Sequence, residues 1–109
     1  MAWKVELTED AERDFAALDG SLRKLARKKL AKLEENPHIG EELHNRSGCD
    51  LLGYYKLYFN GTRFRIEYRI ENDILVILII GIGQRAHGAV YRMVAGRVSE
   101  TEKTVEQLP

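Results

Sequence analysis

A chain of 109 residues, 44% hydrophobic and 31% charged, has the composition of one ordinary globular domain, large enough to bury a core without staples. Its formal net charge of zero excludes a protein that coats nucleic acid by bulk charge. One cysteine, Cys49, allows no internal disulfide.

The chain opens with a charge inside its first apolar residues, Trp3-Lys4-Val5-Glu6, which is no signal-peptide pattern. The apolar run Ile74–Ile82 is far short of the roughly 20 residues needed to span a bilayer. The cytoplasm is the expected compartment, with no membrane partner. Charge is distributed unevenly: residues 51–98 carry a net +4, and the segments on either side carry −2 each.

In chain order, Trp3, Val5 and Leu7 alternate with Lys4 and Glu6, predicting a short strand. Thr8 is a good N-cap, and Glu9 and Asp10 suit the positive end of the helix that follows. Ala11, Phe15 and Leu18 recur at helical spacing until Asp19-Gly20. A second helix is predicted from about Ser21 to Glu35, with Leu22, Leu25, Ala26, Lys29 (by its stem), Leu30 and Leu33 as its inward stripe, ended by Asn36-Pro37. Residues 38–50 read as a loop. Their His38, His44, Cys49 and Asp50 fit no zinc spacing, so no metal or other cofactor is expected.

Three strands follow, at about 53–59, 62–70 and 74–82, the last apolar at both parities as in the middle of a sheet. Asn60-Gly61 predicts a two-residue turn between the first two. That turn would set Lys56 opposite Arg65 and Tyr58 opposite Arg63, on a face turned away from the core. Like charges held roughly 5 Å apart repel, which suggests an anionic ligand between them. After a loop through Arg85 and His87, a short helix is predicted at about 89–98. A polar tail from Ser99 is expected to fray. The fold class is α+β in two layers, with the N-terminal strand and helical hairpin packed on a mostly antiparallel four-stranded sheet. Residues 1–98 form the domain and 99–109 the tail.

From Trp3 to about Val98 the chain resembles the RelE branch of the RelE/ParE superfamily of bacterial toxins. The resemblance rests on four ordered motifs: Tyr55-Lys56-Leu57, Phe64-Arg65-Ile66-Glu67-Tyr68, Ile82-Gly83-Gln84-Arg85 and Val90-Tyr91. It implies a toxin that enters the ribosomal A site, cuts mRNA there, and is neutralised by a cognate antitoxin. Carried over by motif, the cleavage residues would be Lys56, Arg65, Arg85 and Tyr91. Two positions depart from or add to the pattern: Tyr58 stands where the family pattern has a second lysine, and His87 where a further basic residue is common.

Such a site would cut RNA without metal, using the RNA's own 2′-hydroxyl against the adjacent phosphate. Arg65 and Arg85 suit the developing phosphoryl charge, because the guanidinium fork matches phosphate and stays charged. Lys56 serves either as a base, in its uncharged form, or as a further phosphate clamp. His87 is a second candidate acid or base. Tyr91 suits stacking or proton transfer, and Tyr54, Tyr58 and Arg63 suit RNA contacts. Two other readings share the fold: a ParE-like inhibitor of DNA gyrase, and a catalytically decayed module that only holds an antitoxin.

Overall fold

The computed structural model describes residues 3–43, 53–84 and 89–108, with some α3 side chains, Tyr91 among them, left undescribed. The chain runs β1 (Lys4–Leu7), α1 (Glu9–Ala17), α2 (Gly20–Glu35), β2 (Glu41–Glu42), β3 (Tyr54–Phe59), β4 (Phe64–Glu71), β5 (Val76–Gln84) and α3 (Ala89–Gln107). The helix starts follow from their caps. Thr8 Oγ1 accepts from Ala11 N at 3.1 Å, and Asp19 Oδ1 accepts from Leu22 N at 2.9 Å. These two bonds satisfy amide donors that no helical carbonyl can reach.

Among the described residues the sheet has five strands in the order β1-β5-β4-β3-β2, antiparallel except for the parallel β1–β5 pair. The expected four strands gain a fifth because Glu41 and Glu42 pair with Lys56 and Tyr55 inside what reads as a loop. A two-residue strand is too short for alternation to reveal it.

The hairpin register differs from expectation by two residues. Asn60 and Gly61 do have positive φ, 53° and 68°, but the loop is four residues long and closes on Phe59 opposite Phe64. Lys56 therefore faces Glu67, and Tyr58 faces Arg65. A slip of two moves no side chain to the other face, so alternation alone cannot choose between these registers. Cross-strand pairs make the choice. Phe59 and Phe64 meet at 5.6 Å between ring centroids, Tyr55 stacks on Tyr68 at 5.5 Å, and a lysine faces a carboxylate. The opposed Lys56–Arg65 pair, and the repulsion it implied, do not exist; the two residues are diagonal neighbours.

The sheet is also covered on both faces. One face packs on α1 and α2, through Ala11, Leu18, Ala26 and Leu33 against Phe59, Ile66, Tyr68, Ile77, Ile79 and Ile82. Leu25, expected in the inward stripe, is exposed. The second face, expected to stay open, lies under α3: Val94 packs with Leu43, Tyr54 and Ile80, and Val98 packs against that group. The helix runs on through residues 99–107, where the sequence suggested a fraying tail. Val94, Val98 and the buried Thr101 recur at helical spacing, which explains why.

An ion pair ties the two layers together around the sheet edge. β1 pairs with β5 only as far as Leu7 and Ile79, so β5 outruns its neighbour. Asp14 of α1 accepts from Ile82 N at 3.1 Å, and Arg97 of α3 donates to Ile80 O at 2.8 Å. Arg97 and Asp14 then pair with each other at 2.8 Å. Backbone groups that β1 leaves unpaired are thus satisfied by side chains from both layers. Asp14→Ala should lower the unfolding free energy by about 2 kcal/mol, since it strips a charged partner from both an amide and a guanidinium. Denaturant unfolding of the variant checks this, and Arg97→Ala should behave alike, with the double variant less than additive.

Candidate functional site

Four side chains define the α3 face of the central strands: Lys56 and Tyr58 on β3, and Arg65 and Glu67 on β4. Lys56 is half-buried, with its ammonium 5.4 Å from the centroid of the Tyr58 ring. Its backbone is held by the segment after α2. Gly40 packs so tightly that a Cβ there would lie 2.6 Å from Lys56 O and 2.4 Å from the Tyr68 hydroxyl. That hydroxyl donates to Pro37 O at 2.8 Å and accepts from Gly40 N at 3.1 Å, and burial pushes it up to about 12. The glycine, the tyrosine and the proline loop together fix the strand that carries Lys56.

Arg65 is 5% exposed, so it is no solvated surface cation. Its Nε lies 3.1 Å from Glu67 Oε1, and its Nη1 donates to the carbonyls of Gly83, at 3.4 Å, and Gln84. Gly83 and Gly81 face Arg65 and Glu67 in register and bring no side chain. The two charged side chains consequently have room over β5. The guanidinium is thereby anchored at the end of β5, one residue before Arg85.

Glu67 is wholly buried, and no sequence signal singled it out beyond its place in a motif. Burial pushes its carboxyl up to about 8, against the pull of Arg65 and Arg97. Alternation alone marked it as one more polar residue on a face taken to be solvated.

The remaining expected site residues are distributed as follows. Tyr54 is 3% exposed beneath α3; its hydroxyl accepts from Arg69 Nη1 at 3.2 Å and donates to Glu102 Oε1 at 3.4 Å. Packed this way, its ring offers no face to a base. Arg69 also pairs with Glu102 and Glu71, both at 2.5 Å, so it is bound in a network and not solvated. Arg63 is exposed in the hairpin loop. Arg85 and His87 lie outside the described residues, as do His44, Cys49 and Asp50; Tyr91 lies on the first turn of α3. The second sheet face is thus divided. Its Arg69 end is closed by Glu102 of α3, whereas the hairpin end carries Lys56, Tyr58 and Arg65 beside Gln84.

This arrangement, a five-stranded sheet with a basic group at its hairpin end and a helical hairpin behind, is that of a small bacterial toxin fold. Residues 5–88 match the family described as ParE toxin of type II toxin–antitoxin system, parDE. The chain belongs to that family, and within the RelE/ParE superfamily it is of the RelE type. It is 29% identical over 99 residues to a putative RelE-like toxin protein of Escherichia coli, covering 90% of this chain and 99% of that one. To the mRNA interferase toxin RelE of E. coli K12 it is 25% identical over the same coverage. A mutant of E. coli RelE in the free state superposes with a TM-score of 0.73 at 23% identity, over 90% of this chain and 99% of the other. The toxin in the intact E. coli RelBE complex gives 0.62 at 24% identity, over 78% and 99%.

The Glu67 carboxyl has a measurable consequence for stability. Its folded value of about 8 lies above its ordinary value of 4.5, so between them the folded chain holds a proton that the unfolded chain has released. Stability from this group is full below about 4.5 and is lost as pH rises through about 8. Wild-type unfolding free energy should therefore carry a downward slope across that window, and Glu67→Gln should flatten it. Urea titrations between pH 5 and 9 check the difference.

Proposed function

We propose that the protein is a ribosome-dependent mRNA endonuclease, acting in the cytoplasm on mRNA in the A site and neutralised by a cognate antitoxin. The observation that carries this reading is that Lys56 and Arg65 are diagonal neighbours on one sheet face, with the Arg65 guanidinium held by the Gly83 and Gln84 carbonyls, in a chain of the toxin family. Similarity to the mRNA interferase RelE supports the activity, and likeness to chains solved with an antitoxin supports the partner.

On this reading the 2′-oxygen attacks the adjacent phosphorus and the P–O5′ bond breaks, leaving a 2′,3′-cyclic phosphate. A base takes the 2′ proton and an acid returns one to the departing 5′ oxygen. Arg65 and Arg85 stabilise charge on the phosphoryl oxygens, with Lys56 as base or third clamp. His87 and Tyr91 are candidates for the remaining proton transfer, and Tyr91 also for stacking on a base. Tyr58 and Arg63 contact RNA at the hairpin end. Tyr54 leaves the set, because it is packed under α3.

Ribosomes programmed with a defined mRNA should yield cleavage within the A-site codon and a cyclic phosphate end. Arg65→Ala and Arg85→Ala should each lower the single-turnover rate by about 10²–10³-fold. Unchanged cleavage in both variants would refute the site. The family description favours one alternative, a ParE-like inhibitor of DNA gyrase. Blocked supercoiling with intact mRNA would establish that alternative instead.

A further inference from the structure

Glu67 is the buried titratable group that the proposed mechanism leaves unused. It sits at the centre of the site, opposite Lys56 on β3 and two residues from Arg65 on β4, with no exposed surface. An apolar side chain there would suit a strand covered on both faces. A buried ion pair is often matched or bettered in stability by well-packed apolar residues of similar volume, so fold stability gives little reason for the Glu67–Arg65 pair as a whole. Its contact with Arg65 is close: Oε1 lies 3.1 Å from Nε, the atom at the root of the guanidinium, as an ion pair without hydrogen-bond alignment. The carbonyls of Gly83 and Gln84 take Nη1. Held at Nε and Nη1, the group keeps Nη2 without a partner among the described residues.

We propose that Glu67 is a positioning residue for RNA cleavage: it fixes the Arg65 guanidinium by its Nε so that the Nη2 edge is presented to the scissile phosphate. This rests on the nuclease reading above. The charge state of Glu67 then sets how much of the local positive charge reaches the RNA. Lys56 faces the carboxyl from β3, Arg65 and Arg69 flank it on β4, the charge of Arg97 on α3 acts on it, and Asp14 opposes them from α1. A neutral carboxyl leaves the Lys56 and Arg65 charges to the phosphate; an ionised one cancels part of them. The burial-driven upward shift of this group puts that change on the alkaline side of neutrality.

Three variants test the proposal in the ribosome assay: Glu67→Val, Glu67→Gln, and Glu67→Val combined with Arg65→Ala. Glu67→Val leaves the Arg65 guanidinium buried without its carboxyl and should melt below wild type. Assayed well below its own melting temperature, it should cleave about 10²-fold more slowly, as expected for a misaligned catalytic group. Glu67→Gln keeps an oxygen for Nε, so it should restore most of the rate and lack the decline that wild type shows above pH 8. The combined variant should be no slower than Arg65→Ala alone. The role of Glu67 is overturned if Glu67→Val cleaves at the wild-type rate with the wild-type pH profile, or if its loss adds in full to that of Arg65→Ala. A wild-type protein that cuts no mRNA overturns the nuclease reading instead. In that case the ¹⁵N resonance of Arg65 Nε decides the positioning, which fails if neither Glu67→Gln nor Glu67→Val moves it.

Discussion

The register of the β3–β4 hairpin decides which charges meet, and the site depends on it. Three cross-strand pairs pin it: Phe59 with Phe64, Tyr55 with Tyr68, and Lys56 with Glu67. Each such pair contributes roughly 0.2–1 kcal/mol, but they act together, and a slip by two residues forfeits all three. In the alternative register Lys56 would face Arg65, and two cations would confront each other beneath a helix. The observed register exchanges that repulsion for an alternation of Lys56, Glu67 and Arg65. Glu67 faces Lys56 in register and lies 3.1 Å from Arg65 Nε, although neither of its oxygens has a hydrogen-bond partner among the described residues. The anion that like-charge repulsion seemed to demand is not required by the fold, and support for RNA chemistry comes from orientation and family.

The second sheet face, which carries Glu67 and Arg65, is crossed by α3, and the helix is attached there at two places. Near its middle, Arg97 joins Asp14 and the carbonyl of Ile80; farther along, Glu102 joins Arg69 and Tyr54. Val94, before Arg97, and Val98, after it, supply the apolar contact. The helix thereby completes a core that the helical hairpin closes only on the other side. It also sorts the face into a closed Arg69 end and a hairpin end, where Lys56 and Tyr58 stay half-buried.

Much of this was legible in the sequence, for identifiable reasons. Caps at Thr8 and Asp19 and the break at Asn36-Pro37 set the helical hairpin. Strict alternation in Tyr54–Phe59 and Phe64–Ile70 set two strands and their core face. Register was not legible, because parity is blind to a two-residue slip. The cover over the second face did leave a signal: Val76, Leu78 and Ile80 are apolar on that face, which a sheet open to water would not carry. A strand apolar at both parities needs packing on both sides, and Val94, Val98 and Thr101 were the matching stripe. Glu67 could not be found by type or spacing, since alternation marks the face a residue lies on and not its burial.

The same pairing changes how the +4 segment is to be understood. Arg65, Arg69 and Arg97 all belong to it, and each is engaged by an acid: Glu67, then Glu71 and Glu102, then Asp10 and Asp14. Two of these partner elements, α1 and the distal half of α3, come from the segments with net negative charge. Arg69 and Arg97 are therefore spoken for within the fold, while burial keeps Glu67 from fully offsetting Arg65, and long-range attraction is weaker than the local sum implies. A site built this way acts at contact distance. Its power to stabilise a phosphoryl group comes from donors fixed before the RNA arrives, because fixed dipoles and charges need not reorganise during reaction. Arg65, held by a carboxyl at one edge and two carbonyls at another, is the side chain whose geometry meets that requirement.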